Sequence, residues 1–556
     1  MEFKVADSLE DIPQLSTELP TFSDIETDGF YTNCRLIQVY QPETSDIIYI
    51  IDTDIIDLDK AKEWLKPLWT VWHGASYDFG TLNMTTDRFD DTLLLVRSAY
   101  PEWQQFKLDN VIAKLGFNHL YDGLDKRALQ RAGFKKGAYL SGEQLRYSAT
   151  DVYALSLIWK NARVQNSRER VSYKIDIISL KYSIEYQQNE LIVKQDSVRD
   201  ELDMLVQRIE DNYYYLDGLN PNSPKQVKER LGTADSSKET LIKLIGRGNK
   251  TAEVVYNQRR LLKRRTMLNS YNYPKVITRF NPAGAATGRF TSTGGDLDRG
   301  INAQQITRDL QYLFNSDTED TIVVHADYST AELRAGCSIM KDESMYRELM
   351  AGLDLHKAAA SLATGKDIKD ITKDDRQKGK AVSFGKIFGQ SWKSFIEFAF
   401  VNYGVKFTEE ESQEIHKKYN AKYKGISSYH KARWNDYQEI PVSTPTGRRN
   451  QARLGTDAIN YATQGCIADT TKLAVHYLCK EHPEATKYIF NIVHDAIYLR
   501  VPKGLEEEWS YKLVDAMKKG WVEMCKLPML YYKDIPMPVE VEYTDSKTNE
   551  HIVREI

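Results

Sequence analysis

The sequence predicts an α/β protein of several domains, and three observations carry that reading. Its 556 residues exceed what one hydrophobic core organises. A hydrophobic share of 41% beside 28% charge describes a folded chain, not a disordered one. The element signals also change along the chain. Short β-rich runs mix with helical stretches up to about residue 160, and long charged helical stretches run from Asn161 to Met267. Strands and helices alternate again after Phe280. No apolar run approaches the roughly 18 residues a membrane-spanning helix needs, and the start, Met1 to Asp7, lacks the apolar core of a signal peptide. The five cysteines are scattered with no CxxC pair, which fits a reducing cytoplasm and argues against structural zinc. A net charge of −4 excludes a general basic coat but leaves room for a basic groove balanced by acid elsewhere. The densest basic cluster, Arg259, Arg260, Lys263, Arg264 and Arg265, suits a solvated helix face as well as a nucleic-acid contact.

Taken in order, Thr21 to Glu26 reads as a strand whose period of two puts Asp24 and Glu26 on one face. Leu36 to Tyr40 and Ile47 to Ile51 read as further strands. His73-Gly74-Ala75-Ser76-Tyr77-Asp78 adds a third acid, and Tyr147 and Asp151, four apart, share the side of a helix. DxE pairs and YxxxD spacings are common on surfaces, so the weight lies in the combination. Four acids and a phenol suffice to hold two divalent metals about 3.5–4 Å apart and to orient a water towards a phosphate. Asn220-Pro221-Asn222-Ser223-Pro224 then forces a turn before a new helix.

Further on, the β-branched run Thr321 to Val324 leads to Asp327 at a strand end, after which Ser329 should begin a helix. Ser329 and Glu332 fit an S-x-x-E capping box, the bland reading of that glutamate. Thr372 to Asp375 repeats the pattern, and along the helix it opens, Arg376, Lys380, Phe384 and Phe388 recur every fourth residue on one face. Two cations followed by two rings suit a nucleoside triphosphate, since cations neutralise phosphates and a ring packs on sugar or base. Tyr488 to Val493 and Ala496 to Val501 flank His494-Asp495 as in a tight hairpin. Beside the strand ending at Asp327, that tip would bring two carboxylates together, enough for Mg²⁺, which keeps waters and substrate oxygens as its other ligands.

In its order the first set, with Asp91-Thr92-Leu93-Leu94-Leu95 and Tyr100-Pro101, resembles the motifs of RNase H-like 3′–5′ proofreading exonucleases. The later segments resemble the three polymerase motifs of family A DNA polymerases. Asn222 to Gln226, Thr287 to Ser292, Asn302 to Gln305, Gly447-Arg448-Arg449 and Asn460 to Gly465 resemble further elements of that family. The resemblance implies an exonuclease domain over 1–165 and a right-hand polymerase domain over 166–556. Within the latter it implies a thumb at about 180–275, a palm at about 276–340 and 430–556, and fingers at about 341–429. It implies metal ligation by Asp24, Glu26, Asp78 and Asp151, with Tyr147 positioning a water. In the polymerase it implies two Mg²⁺ or Mn²⁺ on Asp327, the Tyr328 carbonyl and Asp495, and two divalent metals at the exonuclease site. Arg376 and Lys380 would hold the triphosphate, Phe384 would stack near the sugar with Phe388 beyond it, and Glu332 would exclude a ribose 2′-hydroxyl. Arg289, Asn302, Gln304, Asn460, Gln464 and His494 would contact DNA.

The departures are specific. Gly74 stands where the second exonuclease motif usually has asparagine, Ser383 where asparagine is usual, and Thr456 where arginine is usual. Phe388 replaces a common tyrosine and Ala496 a glutamate, implying weaker sugar discrimination or fidelity without loss of synthesis. Phe384, where some members carry tyrosine, implies discrimination against dideoxynucleotides. The expected partners are primer–template DNA, dNTPs and replisome proteins such as a helicase–primase and a single-strand-binding protein. No membrane partner is expected, and the protein should be a monomer. The likeness starts at the N-terminus with no preceding 5′ nuclease, and 161–275 is too short for a large thumb insertion. A compact phage-type replicative enzyme is the setting implied. A single-subunit RNA polymerase should lack the Glu332 gate and the Asp24/Glu26 site, and a non-catalytic nucleic-acid-binding relative should have lost the metal ligands.

Overall fold

The computed structural model describes residues 1–29, 33–294, 299–314 and 317–556. The N-terminal part is built on a six-stranded mixed sheet. Its order is Glu2–Ala6, Ile47–Asp52, Cys34–Tyr40, Thr21–Thr27, Trp69–Trp72 and Arg88–Asp91. The Thr21–Thr27 strand lies near the middle, antiparallel to Cys34–Tyr40 and parallel to Trp69–Trp72. Both faces are covered: Phe22, Leu36 and Val71 pack with Leu155 and Trp159 on one side, and Ile25, Ile37 and Trp72 with Phe79 on the other. Such double cover explains strands that read as continuous apolar runs, Ile47–Asp52 above all.

The helical stretch expected from Asn161 to Met267 is present, with one addition. The two-residue strand Leu191–Ile192 pairs with Lys275–Val276 and closes the base of the helices Gln195–Tyr214 and Lys250–Ser270. The Pro224–Leu231 helix starts at the predicted turn, with the Ser223 hydroxyl accepting from Gln226 N. Residue 165 falls inside the Ala162–Ser167 helix and residue 180 inside Val171–Tyr186. The latter helix packs on Gly455–Glu481 and also touches the N-terminal sheet, so it ties the two halves together.

A second sheet is wholly antiparallel, in the order Ile489–Val493, Ala496–Pro502, Thr321–Tyr328, Val539–Thr544, His551–Glu555. Its inner face meets Gly455–Glu481 and Glu506–Cys525 in the largest apolar core, where Val324, Ile497, Leu499, Trp509 and Met517 are buried. Among the described residues no helix is long and apolar enough to cross a membrane.

Candidate active sites

The strand Thr21–Thr27 and the helix Gly142–Trp159 together make the first site. Asp24, Glu26 and Asp151 each bring a carboxylate oxygen within 4.8 Å of the other two. Burial and the neighbouring negative charges push Asp24 and Glu26 upward: Asp24 beside Asp151, Glu26 beside Asp24, Asp151 and Asp78. Burial raises Asp151 to about 7 although the hydroxyls of Tyr121 and Tyr147 stabilise its charged form. Carboxylates crowded against their own repulsion, all of them hard oxygen donors, fit divalent cations such as Mg²⁺ or Mn²⁺.

Asp78 lies outside the close triad but inside its field. It is buried on the Ala75–Leu82 helix, and burial together with Asp24 raises it. That helix is held by Asp91, whose carboxylate accepts from Gly74 N at 3.1 Å and Ala75 N at 3.0 Å. Gly74 has φ of +87°, a conformation that glycine and asparagine adopt at least cost, which accounts physically for either residue there. Tyr147 accepts a hydrogen bond from Gln130 at 3.4 Å. Tyr121, which no sequence motif marks, donates directly to Asp151. It sits in a short 3₁₀ turn, Asn118–Tyr121, where there is no periodic signal to single it out.

The second site forms where strands of the other sheet end together. The ladder pairs Thr321–Ala326 with Ile497–Pro502, so Asp327, still paired with Glu540 on its other side, comes up beside the hairpin tip His494-Asp495. Asp327 is exposed and Asp495 half-buried. Burial raises Asp495, and the charges of Asp327 and Glu332 raise it further, so the three acids share one field. The all-oxygen set fits a hard divalent cation as the first site does. The Tyr328 hydroxyl donates to the Met517 carbonyl at 2.7 Å and anchors the strand end. His494 takes φ of 57°, which turns the hairpin; burial and then Arg289 hold its imidazole below the usual range.

Glu332 is not a capping residue. The helix it belongs to is Ala331–Met340, entered through Thr330 at φ of 53° with no side-chain cap, and the Ser329 hydroxyl turns to Glu555 at 2.9 Å. Glu332 instead receives Arg289 at 2.5 Å. The local S-x-x-E pattern loses because tertiary partners satisfy both side chains. Arg289 is carried by a turn in which Gly288 has φ of +83°, and a Cβ there would lie 2.4 Å from Arg448 Nε. Asn302 accepts from the Ser292 hydroxyl at 2.6 Å, and Gln304 donates to the Ile492 carbonyl at 3.1 Å, so Gln304 stands beside the hairpin.

The third segment behaves as expected at its start. Thr372 and Asp375 form the full capping box of the Lys373–Ile387 helix. Arg376, Lys380, Phe384 and Phe388 are all half-exposed, whereas Gly379, Ala381 to Ser383 and Gly385 to Ile387 are buried, which marks a single row lining a cleft. Phe388 is the C-cap, not a helical residue, and its carbonyl accepts from Asn460 at 3.3 Å. Gln464 stands one turn further along the Asn460 helix, half-buried. The Phe384 ring lies 5.8 Å from Phe388 and is stacked on Tyr403 at 6.5 Å. Tyr403 is raised to about 12 by burial and then by Glu332, which places this row across from the acids.

Two residues of this wall carry no motif of their own. Asp354 pairs with Arg376 at 2.7 Å while capping the Leu355–Thr364 helix. His356 bonds Ser383 Oγ at 2.6 Å with its ring 5.3 Å from Phe384. Only the helix-start pattern Asp354-Leu355-His356 hints at them, and it says nothing of their distant partners.

Known proteins resemble this chain in sequence and in fold. The model for DNA polymerase family A matches residues 192–548. DNA polymerase I of Aquifex aeolicus is 27% identical over 95% of this chain and 96% of its own length. The enzymes of the same name from Mycobacterium leprae and Streptococcus pneumoniae are 29% and 26% identical over 48% and 56% of this chain, and there the chain spans 30% and 40% of their lengths. Among solved structures, the polymerase domain of Pol1 from M. smegmatis, in complex with DNA primer–template and dNTP, superposes with a TM-score of 0.73. That likeness, at 20% identity and 95% coverage of both chains, shows the shared fold. The chain belongs to DNA polymerase family A.

Proposed function

We propose that this chain extends a primer with dNTPs on a DNA template and that its N-terminal unit, 1–165, excises nucleotides from the 3′ end. The observation that carries the reading is the pairing of Asp327 and Asp495 with Glu332 across from the row Arg376, Lys380, Phe384 and Phe388. The relatives named DNA polymerase I and the neighbour solved with primer–template and dNTP support it.

At the synthetic site Asp327, the Tyr328 carbonyl and Asp495 would hold the divalent cations. At the excising site Asp24, Glu26, Asp78 and Asp151 would hold theirs. Bound there, the ions supply charge neutralisation at the phosphate and activation of the attacking oxygen. Arg376 and Lys380 neutralise the triphosphate, with Asp354 paired to the arginine. Phe384 packs on the incoming sugar, flanked by Phe388 and Tyr403. Glu332, braced by Arg289, occupies the space a 2′-hydroxyl needs. Asn302, Gln304, Asn460, Gln464 and His494 line the path of primer and template. Tyr147 orients the water at the excising site. The assignment of thumb, palm and fingers follows the ranges given above. The biological setting we assign is a phage-type replicative enzyme, acting as a monomer beside helicase, primase and single-strand-binding protein.

Extension of a labelled primer on a template with dNTPs or with ribonucleotides tests the reading. Template-directed incorporation of dNTPs in clear preference is expected. Preference for ribonucleotides would move the assignment to an RNA polymerase, and neither incorporation nor degradation would move it to a non-catalytic binder.

A further inference from the structure

The loop Lys135 to Tyr139 stands out among the described connections of the N-terminal unit as a run of five exposed residues. It is fixed at both ends by buried side chains, Phe134 and Leu140, yet every residue between them is exposed, and Tyr139 is 92% exposed. Its backbone is pinned. The buried guanidinium of Arg35, bidentate to Asp52 at 2.9 and 2.8 Å, reaches out to the Lys135 carbonyl at 3.0 Å. Asp54, paired with the same arginine, accepts from Gly137 N at 2.7 Å. A loop ordered in this way presents two cations and a ring without further loss of backbone freedom on binding.

Its position is defined by two elements. Arg35 sits in the strand where Leu36 lies opposite Glu26 and Cys34 opposite Thr27, so the loop is anchored at the end of the sheet where Glu26 emerges. The helix Lys126–Ala132 leads into the loop, and its inner side meets the two tyrosines beside Asp151. Gln130 bonds the Tyr147 hydroxyl at 3.4 Å, and Lys126 lies 3.3 Å over the ring of Tyr121, the donor to Asp151. From Gln130 to Lys135 the chain spans at most roughly 17 Å. The outer side adds Arg127 and Arg131, both exposed.

We propose that this loop is a landing surface for single-stranded DNA whose 3′ end occupies the Asp24–Glu26–Asp151 cluster, with Lys135 and Lys136 on phosphates and Tyr139 stacked on an upstream base. The inference rests on the exonuclease reading above and goes beyond it to the path of the strand. Cations interleaved with an exposed ring suit a single strand, because phosphates recur along it and every base offers a face to stack on. An acidic peptide would use the lysines and leave Tyr139 idle.

The test compares the full chain with Tyr139→Ala and with Lys135→Glu/Lys136→Glu on two labelled single strands, a tetranucleotide and one of about fifteen nucleotides. The tetranucleotide is the short control, with fewer phosphates and bases to lay on the loop. For the longer strand the KM of excision should rise at least about fivefold in Tyr139→Ala, the low end for removal of a stacking ring. The double charge reversal should flatten the salt dependence of binding by about 1.4 in log–log slope, at about 0.7 for each phosphate no longer neutralised. The kcat on either strand should not move, and the KM of the tetranucleotide should move less than that of the longer strand. Equal KM values for wild type and variants on the longer strand would overturn the proposal. Equilibrium binding of the longer strand, read by fluorescence anisotropy without hydrolysis, separates the two claims. A wild type that binds but never cuts sinks the exonuclease reading, and the variants' Kd then decides for or against the loop.

Discussion

Replacing Asp176 by asparagine should cost this protein more than any single surface change. Asp176 stands on the helix Val171–Tyr186 and receives Arg448 at 2.7 and 2.8 Å and Lys472 at 2.6 Å. Arg448 and Lys472 share one further acid, Asp469, at 2.8 and 3.4 Å, and all four residues are buried. With Asp176 neutral, two buried cations share one carboxylate. Removing one partner of a buried pair costs roughly 3–5 kcal/mol, against a total stability of about 5–15 kcal/mol. The same helix carries Tyr173, whose hydroxyl accepts from Asp91 N at 3.0 Å and donates to Asp90 at 2.6 Å, so loosening it also reaches the strand and helix beside the Asp24–Glu26–Asp151 cluster.

The loss also has a pH signature. Burial already holds Lys472 below its ordinary value of 10.5, and losing Asp176 lowers it further. A lysine with a depressed folded-state pKa binds fewer protons when native. Stability therefore rises with pH, by about 1.4 kcal/mol per unit, between the folded value and the unfolded one. In the variant this rise begins at lower pH, so its deficit should narrow as pH rises towards the ordinary lysine value. Urea unfolding followed by tryptophan fluorescence at pH 7 and at a series of higher pH values measures the effect. A deficit below about 1 kcal/mol at pH 7, or one constant with pH, would refute the reasoning.

Three further outcomes are expected. Asp151 is raised to about 7, so its contribution to the stability of the metal-free protein is present below the ordinary carboxylate range and lost as pH rises through about 7. Asp151→Asn should therefore raise the Tm of metal-free protein at pH 8, by an amount that shrinks towards pH 4, and reduce the Tm shift produced by Mn²⁺. A lower Tm at pH 8 would contradict this. Glu332→Ala should raise ribonucleotide use relative to dNTP by about tenfold or more in single-turnover incorporation, and an unchanged ratio would remove the gate assignment. Phe384→Tyr should raise dideoxynucleotide incorporation relative to dNTP, and comparable use of both by the wild type would remove the basis of that expectation.

The parts of the sites that are legible in the sequence rest on local periodicity. Asp24 and Glu26 share a strand face because strands alternate, and Thr372 with Asp375 caps a helix through a three-residue pattern. The His494-Asp495 tip follows from two apolar runs separated by two polar residues. Local pattern fails where a distant partner competes with it. Ser329 and Glu332 carry a capping signature, but Glu555 and Arg289 claim their side chains from 226 and 43 residues away. Asp354, His356, Tyr121 and Tyr403 reach the sites through contacts that no spacing announces. The helix Val171–Tyr186 looks like the approach to the thumb because its charged pattern continues into the next helices. Its buried Asp176 is what ties it to Arg448 and Lys472 instead.

The central claim is that synthesis and excision use two separate acidic sites, one at Asp327 and Asp495, the other at Asp24, Glu26 and Asp151. Extension and degradation of one labelled primer–template by Asp495→Ala and Asp24→Ala test it most directly. The account predicts that Asp495→Ala loses extension and keeps degradation, and that Asp24→Ala does the reverse. Loss of both activities in either folded variant would contradict it.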